Sequence, residues 1–426
     1  MILYKGKVYD NVKQDELLDR LPADLYTPIN EGRRLDISAV IDACDDLARR
    51  VMAGEFSEIT DPFIEAFNIS HDQFRDMASL FTREKLEYKC RVELCDDKKV
   101  IDGSITRERY PLGVLLHIAA GNVDVLPAYS VVEGLLAGNI NILKLPMGDS
   151  GLSMKLLTEL IKVQPDLADH IYVFDVPSTD TVNIKRLADL SDAVVVWGGD
   201  MAVRAARTMA SPNTKIISWG HKLSFAYVYP GCSDDKLHEL ARAICVTNQL
   251  LCSSCQGIFL ATDSYEEQLA FAEHFFEILK EENKACGEVS YGMRAKNAIT
   301  IYNERLESGD TGRRIFAGDG ISVIVCDDDK LELSYLYRNV WVKRLPFDKI
   351  ALLKKYKDYL QTAAVLTDDR DTFYKTAAKL GDIGIVRITT AGKMSRMTSG
   401  EAHDGTYALR MYSRIVETEN IDSSEG

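Results

Sequence analysis

Two cysteines three apart, Cys252 and Cys255, stand in TNQLLCSSCQGIF, residues 247–259. A cysteine thiolate can act as a nucleophile and carry a covalent intermediate. The spacing alone leaves three chemistries open: a redox dithiol, half of a zinc site, or one nucleophile beside a bystander. A zinc site needs a second ligand pair at comparable spacing, and none is present; His221 and His403 stand isolated in the sequence. A thioredoxin-like dithiol opens a helix that follows a strand. Here the order is reversed, since DKLHELARAICVTNQ reads as a helix before the cysteines and QGIFLAT as a strand after them. The chain has nine cysteines; the others read as small buried hydrophobes of a reducing compartment.

The elements that must position these thiols follow from length and pattern. At 426 residues the chain is too long for one hydrophobic core, so two or three domains are expected. It is 46% hydrophobic and 27% charged, an ordinary globular composition. A formal charge of -14 disfavours nucleic acid or an anionic membrane as partner. MILYKGKVYD lacks an apolar leader core and no stretch approaches membrane-span length, so a cytoplasmic protein with no membrane span is expected. Residues 1–87 read as a helical, acidic lead-in. Its clearest helix is DISAVIDACDDLARRVM, with Asp36 as cap and Ile37, Val40, Ile41, Cys44, Leu47 and Val51 on one face. Cys90, Val92 and Leu94 alternate with charged residues, which predicts a strand, and with the turns that follow a protruding ribbon over about 88–110.

From Pro111 short β-branched runs (GVLLHIAAG, NINILKLP, HIYVFDV, DAVVVWGG, TKIISW) alternate with helix-length segments. That order predicts a parallel sheet covered on both faces, with ligands at the carboxyl ends of its strands. The turns AAGN, KLPMGD and GGD occupy those ends. A second α/β block begins near Leu223: the helix before Cys252, QGIFLAT, SYEEQLAFAEHFFEILKEEN, ISVIVC, NVWVKRL, a helix around IALLKKYKDYL, then TAAVLT, FYKTAAKL and IGIVRIT. Residues 285–320 read as loop, and the polar tail TENIDSSEG as frayed.

PLGVLLHIAAGNVDVLPAYSVVEGLLAGNINILKLP resembles the signature of the aldehyde dehydrogenase superfamily, and YLQTAAVLTDDRDTFYKTAAKLGDIGIVRIT its late strand–helix–strand return. NQLLCSSCQ and EAHDGTYALRMYSRIV resemble the Lux-type long-chain acyl-CoA reductases within it. The resemblance implies two Rossmann-like parallel-sheet α/β domains plus a protruding β oligomerisation arm. It divides the chain into a lead-in and cofactor domain (1–222), a catalytic domain (223–390) and a C-terminal return (391–426).

On this resemblance Cys252 takes the nucleophile position and Cys255 a position where relatives carry another residue. Asn122 matches the oxyanion-hole asparagine, with the backbone N–H of Cys252 as second donor; read alone it is a turn asparagine. Lys144 matches the lysine that meets the cofactor ribose, and Gly198 and Gly199 open a helix where backbone N–H groups approach the pyrophosphate. Met147 falls where NADH-specific members carry a glutamate, which implies NADPH with NADH possible. Ser218 and Trp219 of SWGHK stand where hydrolytic members carry Glu-Leu, so the acyl-enzyme lacks the base that activates water. His403 with Asp404 is either a proton-handling pair or a capped turn. The implied activity is reduction of a fatty acyl-CoA or other acyl thioester to the aldehyde, by a homo-oligomer, with an acyl-transferring protein as a partner. A short-chain CoA-acylating aldehyde dehydrogenase and a weakly active docking subunit remain as alternatives.

Overall fold

The computed structural model describes residues 1–67, 70–94, 105–119, 125–287, 289–311, 313–396 and 398–419. The chain divides into two compact units, residues 1–220 with 397–426, and residues 221–396.

The first unit opens with a hairpin, β1 (Ile2–Tyr4) and β2 (Lys7–Tyr9), turned at Lys5 and Gly6 with φ of 48° and 70°. Both turn residues take positive φ, the tight hairpin geometry that suits a glycine. The sequence reading took this segment into the helical lead-in. Helices α1 (Gln14–Asn30), α2 (Ile37–Met52), α3 (Ser57–Phe67), α4 (His71–Ser79) and α5 (Arg83–Leu94) follow. Asp36 caps α2 as expected, its carboxylate accepting from the N–H groups of Ser38 and Ala39. Residues 88–94 correct the expectation of a strand: they complete α5. Their apparent alternation arises because the buried face of α5 carries Lys89 and Glu93, which pair with each other and erase the apolar period.

After β3 (Ile105–Pro111) the expected alternation appears: β4 (Val114–Ile118), α6 (Leu126–Leu136), β5 (Ile140–Lys144), α7 (Leu152–Val163), β6 (Ile171–Phe174), α8 (Thr181–Asp189), β7 (Ala193–Trp197), α9 (Asp200–Met209) and β8 (Lys215–Trp219). The sheet order is β2-β1-β6-β5-β4-β7-β8, parallel from β6 to β8, with β1 antiparallel on β6. Successive β5 residues point to opposite cores: Ile142 packs on the α1 and α8 side, Leu143 on the α2, α6 and α7 side. The order of connection reverses between β4 and β7, which makes their carboxyl ends the crevice of the sheet.

The second unit holds β9 (Leu223–Val228), α10 (Asp234–Thr247), β10 (Cys255–Leu260), α11 (Tyr265–Ala285), α12 (Tyr291–Thr311), β11 (Arg314–Gly318), β12 (Ile321–Val325), β13 (Asn339–Arg344), β14 (Leu360–Leu366), α13 (Arg370–Ile383) and β15 (Arg387–Thr389). The order is β11-β12-β13-β10-β9-β14-β15, parallel apart from β11 on β12. One expectation is corrected here. Residues 285–320 are largely α12 and β11, not loop; the buried stripe of α12 carries Asn297 and Glu304 beside Ile301, so its periodicity is masked by polar residues. The helix expected around IALLKKYKDYL is a 3-10 helix, Phe347–Tyr356. Gly257 in β10 is required by packing, since a Cβ there would lie 2.0 Å from the Trp341 ring.

The chain returns to the first unit through α14 (Ala408–Met411) and β16 (Ser413–Glu419). The C-terminal strand pairs antiparallel with β3 of its own chain, from Ser413↔Pro111 to Glu419↔Ile105. The ribbon expected over about 88–110 does not form as expected: 88–94 are helix, residues 95–104 lie outside the described residues, and 105–111 pair with 413–419 in a two-stranded sheet.

Candidate active site

In the second unit Cys252 is exposed on the turn between α10 and β10. Asn248 and Gln249 end α10 in left-handed conformation, φ 47° and 64°, and swing the chain out of the helix. Ser254 closes the turn twice: its N–H donates to the Leu251 carbonyl at 2.9 Å and its Oγ accepts from the Leu251 N–H at 3.1 Å. A trans peptide sets C=O and N–H on opposite sides, so the Leu251 carbonyl aimed at Ser254 turns the Cys252 N–H away from it. The carbonyl of Cys252 accepts from Ser224 Oγ at 2.7 Å.

Cys255 differs in every respect that matters. It is the first residue of β10, 2% exposed, and its Sγ donates to the Gly257 carbonyl at 3.2 Å. Burial pushes its thiol up to about 12, so it stays protonated at neutral pH. No disulfide joins it to Cys252.

In the first unit Lys144, Met147, Gly198 and Gly199 lie at or just after the carboxyl ends of β5 and β7. Lys144 ends β5, is buried, and donates from Nζ to Ser178 Oγ at 3.0 Å. Burial draws its ammonium below the ordinary lysine range, with Asp175 opposing the shift. Ser178 was not marked by the sequence, where it is one serine in a loop. Met147 is 89% exposed in the turn after β5. Gly199 is the N-cap of α9, with nothing within 4 Å of where its Cβ would be. Gly198 precedes it at the end of β7. His221, the first residue of the second unit, is exposed. Asn122 lies outside the described residues.

His403 opens a tight turn in which Asp404 and Gly405 have φ of 47° and 79° and the Thr406 N–H donates to the His403 carbonyl at 2.9 Å. The turn sets its imidazole 5.3 Å from the Trp197 ring and 5.1 Å from that of Trp219, the last residues of β7 and β8. Both indoles are anchored below, Trp197 Nε1 on Ser130 Oγ at 2.9 Å and Trp219 Nε1 on the Tyr412 hydroxyl at 3.2 Å. Sequence reasoning missed these two tryptophans as neighbours of His403, because only the sheet order brings 197, 219 and 403 together.

A parallel-sheet unit with a lysine, a glycine N-cap and an aromatic floor at its carboxyl ends, and a second unit presenting one exposed thiol, can be compared with known proteins. The acyl-CoA reductase (LuxC) family model matches residues 33–415. The chain belongs to that family. Membership makes it an oxidoreductase of acyl thioesters. Among curated relatives it is 26% identical over 330 residues to the long-chain acyl-protein thioester reductase of Vibrio harveyi, covering 76% of this chain and 68% of that one. With its namesake from Aliivibrio fischeri it shares 25% over 315 residues, 72% of this chain and 64% of the other. The chain thus matches about two thirds of the length of these relatives. Among solved structures it is similar to glyceraldehyde-3-phosphate dehydrogenase GapN from Methanocaldococcus jannaschii complexed with NADP, TM-score 0.75 at 14% identity, covering 95% and 94% of the two chains. Betaine aldehyde dehydrogenase from Staphylococcus aureus in complex with NAD+ gives TM-score 0.72 at 14% identity, with 95% and 87% covered. The fold is that of the aldehyde dehydrogenases. A nicotinamide cofactor accords with it.

Proposed function

We propose that the chain reduces a long-chain fatty acyl thioester to the aldehyde through an acyl group carried on Cys252, with NADPH as reductant. The observation that carries this is the contrast within CSSC: one thiol exposed on a turn, the other buried at the start of β10 and protonated. The Cys252 thiolate attacks the acyl carbon, the bond to the donor sulfur breaks, and the donor leaves as a thiol after protonation. The oxyanion formed in that attack is stabilised by the backbone N–H of Cys252; the family resemblance assigns the second-donor role to Asn122. Lys144, Ser178 and the N–H groups after Gly199 hold the cofactor. When bound, the nicotinamide supplies the hydride that takes the acyl group to the aldehyde level. Loss of the thiolate from the resulting thiohemiacetal frees the aldehyde and regenerates Cys252. Ser218, exposed near the end of β8, offers no carboxylate to activate water, so the acyl group waits for reduction.

NADPH is favoured because Met147 neither bonds a ribose hydroxyl nor repels a phosphate, while Lys144 offers an ammonium. Asp175 is the carboxylate whose charge acts on the Lys144 ammonium. A protein as acyl donor is favoured by α12, where Ile299, Tyr302 and Leu306 are exposed on one face.

The test is to mix the protein with tetradecanoyl-CoA, without cofactor, and weigh it intact. One acyl adduct mapping to Cys252 is expected, and NADPH should then release one equivalent of aldehyde. No adduct at Cys252, or free acid released as fast as aldehyde forms, overturns the proposal.

A further inference from the structure

Backbone strain is concentrated around the turn that carries Cys252. Of the eight non-glycine residues with positive φ among the described residues, five lie in two stretches: Asn248 and Gln249, and Leu336, Tyr337 and Arg338 at 61°, 49° and 70°. Left-handed backbone is unfavourable for leucine, tyrosine and arginine, and three in a row persist only where the surroundings impose them.

The two stretches impose it on each other. The Tyr337 N–H donates to the Asn248 carbonyl at 2.9 Å. Gln249 Oε1 accepts from the N–H groups of Arg338 and Asn339 at 3.0 and 3.1 Å. Its Nε2 donates to the carbonyls of Cys255 and Asn339 at 3.0 and 3.2 Å. Gln256 returns the contact, its Nε2 donating to the Gln249 carbonyl at 3.0 Å while its Oε1 accepts from Ser334 Oγ at 2.8 Å. The loop 249–256 is thus drawn shut at its neck by two buried amides, with Cys252 at the tip.

Arg338 completes the neck. It is fully buried; Nε donates to Asn248 Oδ1 at 3.0 Å, and Nη1 to the Gly287 carbonyl at 2.7 Å and to Asn283 Oδ1. These acceptors are neutral oxygens at the ends of α10 and α11, so the guanidinium fixes where α10 stops and the nucleophile turn begins.

We infer that Gln249 and Arg338 are positioning residues for the acylation step: they hold the left-handed exit from α10 that aims Cys252 and its N–H. This rests on the reading of Cys252 as nucleophile. Misplacing a reacting group by about 1 Å costs roughly 100-fold in rate. Gln249→Ala and Arg338→Lys should therefore slow acylation of Cys252 by tetradecanoyl-CoA in a single turnover by about that factor. The rate is taken per folded molecule, well below each variant's melting temperature. The Kd for NADPH, measured by its fluorescence, should stay within about twofold of wild type, because the expected cofactor residues lie in the other unit. A loss of stability alone would leave the rate per folded molecule unchanged.

Where either variant does not fold, Asn248→Gly decides, because glycine keeps the left-handed backbone without strain and removes only the acceptor of Arg338 Nε. It should acylate about tenfold more slowly. Acylation at the wild-type rate in the folded variants overturns the inference. Absence of the Cys252 adduct in the wild type overturns instead the nucleophile reading beneath it.

Discussion

The two cysteines of CSSC are separated by three positions and by opposite environments, which sets a sharp expectation for chemical labelling. Cys252→Ala should abolish acyl labelling and turnover, whereas Cys255→Ala should keep much of both at some cost in stability, since Cys255 is a core residue. If both variants are equally dead, the single-nucleophile account fails. Alkylation has a confounder: Cys286, half-buried at the end of α11, has its thiol drawn below the ordinary range by the Cys245 hydrogen bond and by the Arg338 charge. Residual iodoacetamide labelling of Cys252→Ala near pH 8 should map to Cys286. A second residue sets the pH behaviour of the first unit. His117 is fully buried in β4, its Nε2 facing Asn141 Oδ1 at 3.0 Å and its Nδ1 facing Ser130 Oγ at 2.7 Å. Asn141 Nδ2 donates to the Asn139 carbonyl, so Oδ1 accepts and the neutral ring carries its proton on Nε2. Burial pulls His117 from 6.5 down to about 4. The unfolded chain binds a proton near 6.5 and the folded chain resists to about 4, so stability is undiminished above that window and falls as pH drops through it. The full effect is roughly 3 kcal/mol. Urea denaturation at pH 7.5 and 4.5 should show it, and His117→Gln should flatten the difference.

Among the elements, α5 shows both what pattern reading catches and what it misses. Its chemistry is plain in the sequence, Lys89 and Glu93 four apart, yet a helix that buries a lysine and a glutamate has no apolar stripe to read. In the fold Lys89 reaches Glu93 Oε1 at 2.5 Å and Glu133 Oε1 of α6 at 2.9 Å, while Glu93 Oε2 accepts from the Leu409 N–H of α14 at 2.9 Å. Burial works against both charges. It pulls the Lys89 ammonium down, though Glu133 and Glu93 together hold it above its ordinary value, and it pushes the Glu93 carboxyl up despite Lys89. Removing the cation strands two buried carboxylates, so Lys89→Met should cost about 3 kcal/mol, and Lys89→Met with Glu93→Leu should cost less than the sum of the single changes. Thermal melts of the three variants check it; additive losses would mean that the pair is not coupled. The same logic hid α12, where Asn297 and Glu304 occupy the buried stripe. The left-handed neck was not legible at all: YRN before an apolar strand reads as an ordinary strand edge, and no residue type marks three consecutive positive φ values.

For the whole molecule, the parallel sheets were legible because buried strands are β-branched runs between helix-length segments, and Lys144 ends β5 while Gly198 follows β7. What joins distant sequence, such as Trp197, Trp219 and His403, becomes visible only once strand order is known. The association state is the remaining property of this scale. The ribbon of β3 and β16 has only two strands, and such a pair is marginal in water without cover. Its strands carry the complementary charges Arg107 and Glu417, bonded at 2.6 Å, on an arm whose Ile415 is 52% exposed. Among the described residues no third strand joins this sheet, and an open sheet edge is an arrangement that proteins cover to avoid promiscuous pairing. A second copy of the chain is the simplest cover, since closed symmetric association satisfies the same edge on both partners. The expected outcome is a homo-oligomer by light scattering at micromolar protein, shifted toward monomer by Ile415→Asp. Because β16 continues from α14, which the Glu93 bonds hold to α5, the variant should keep its fold. A wild-type monomer with full activity would show that the ribbon needs no partner.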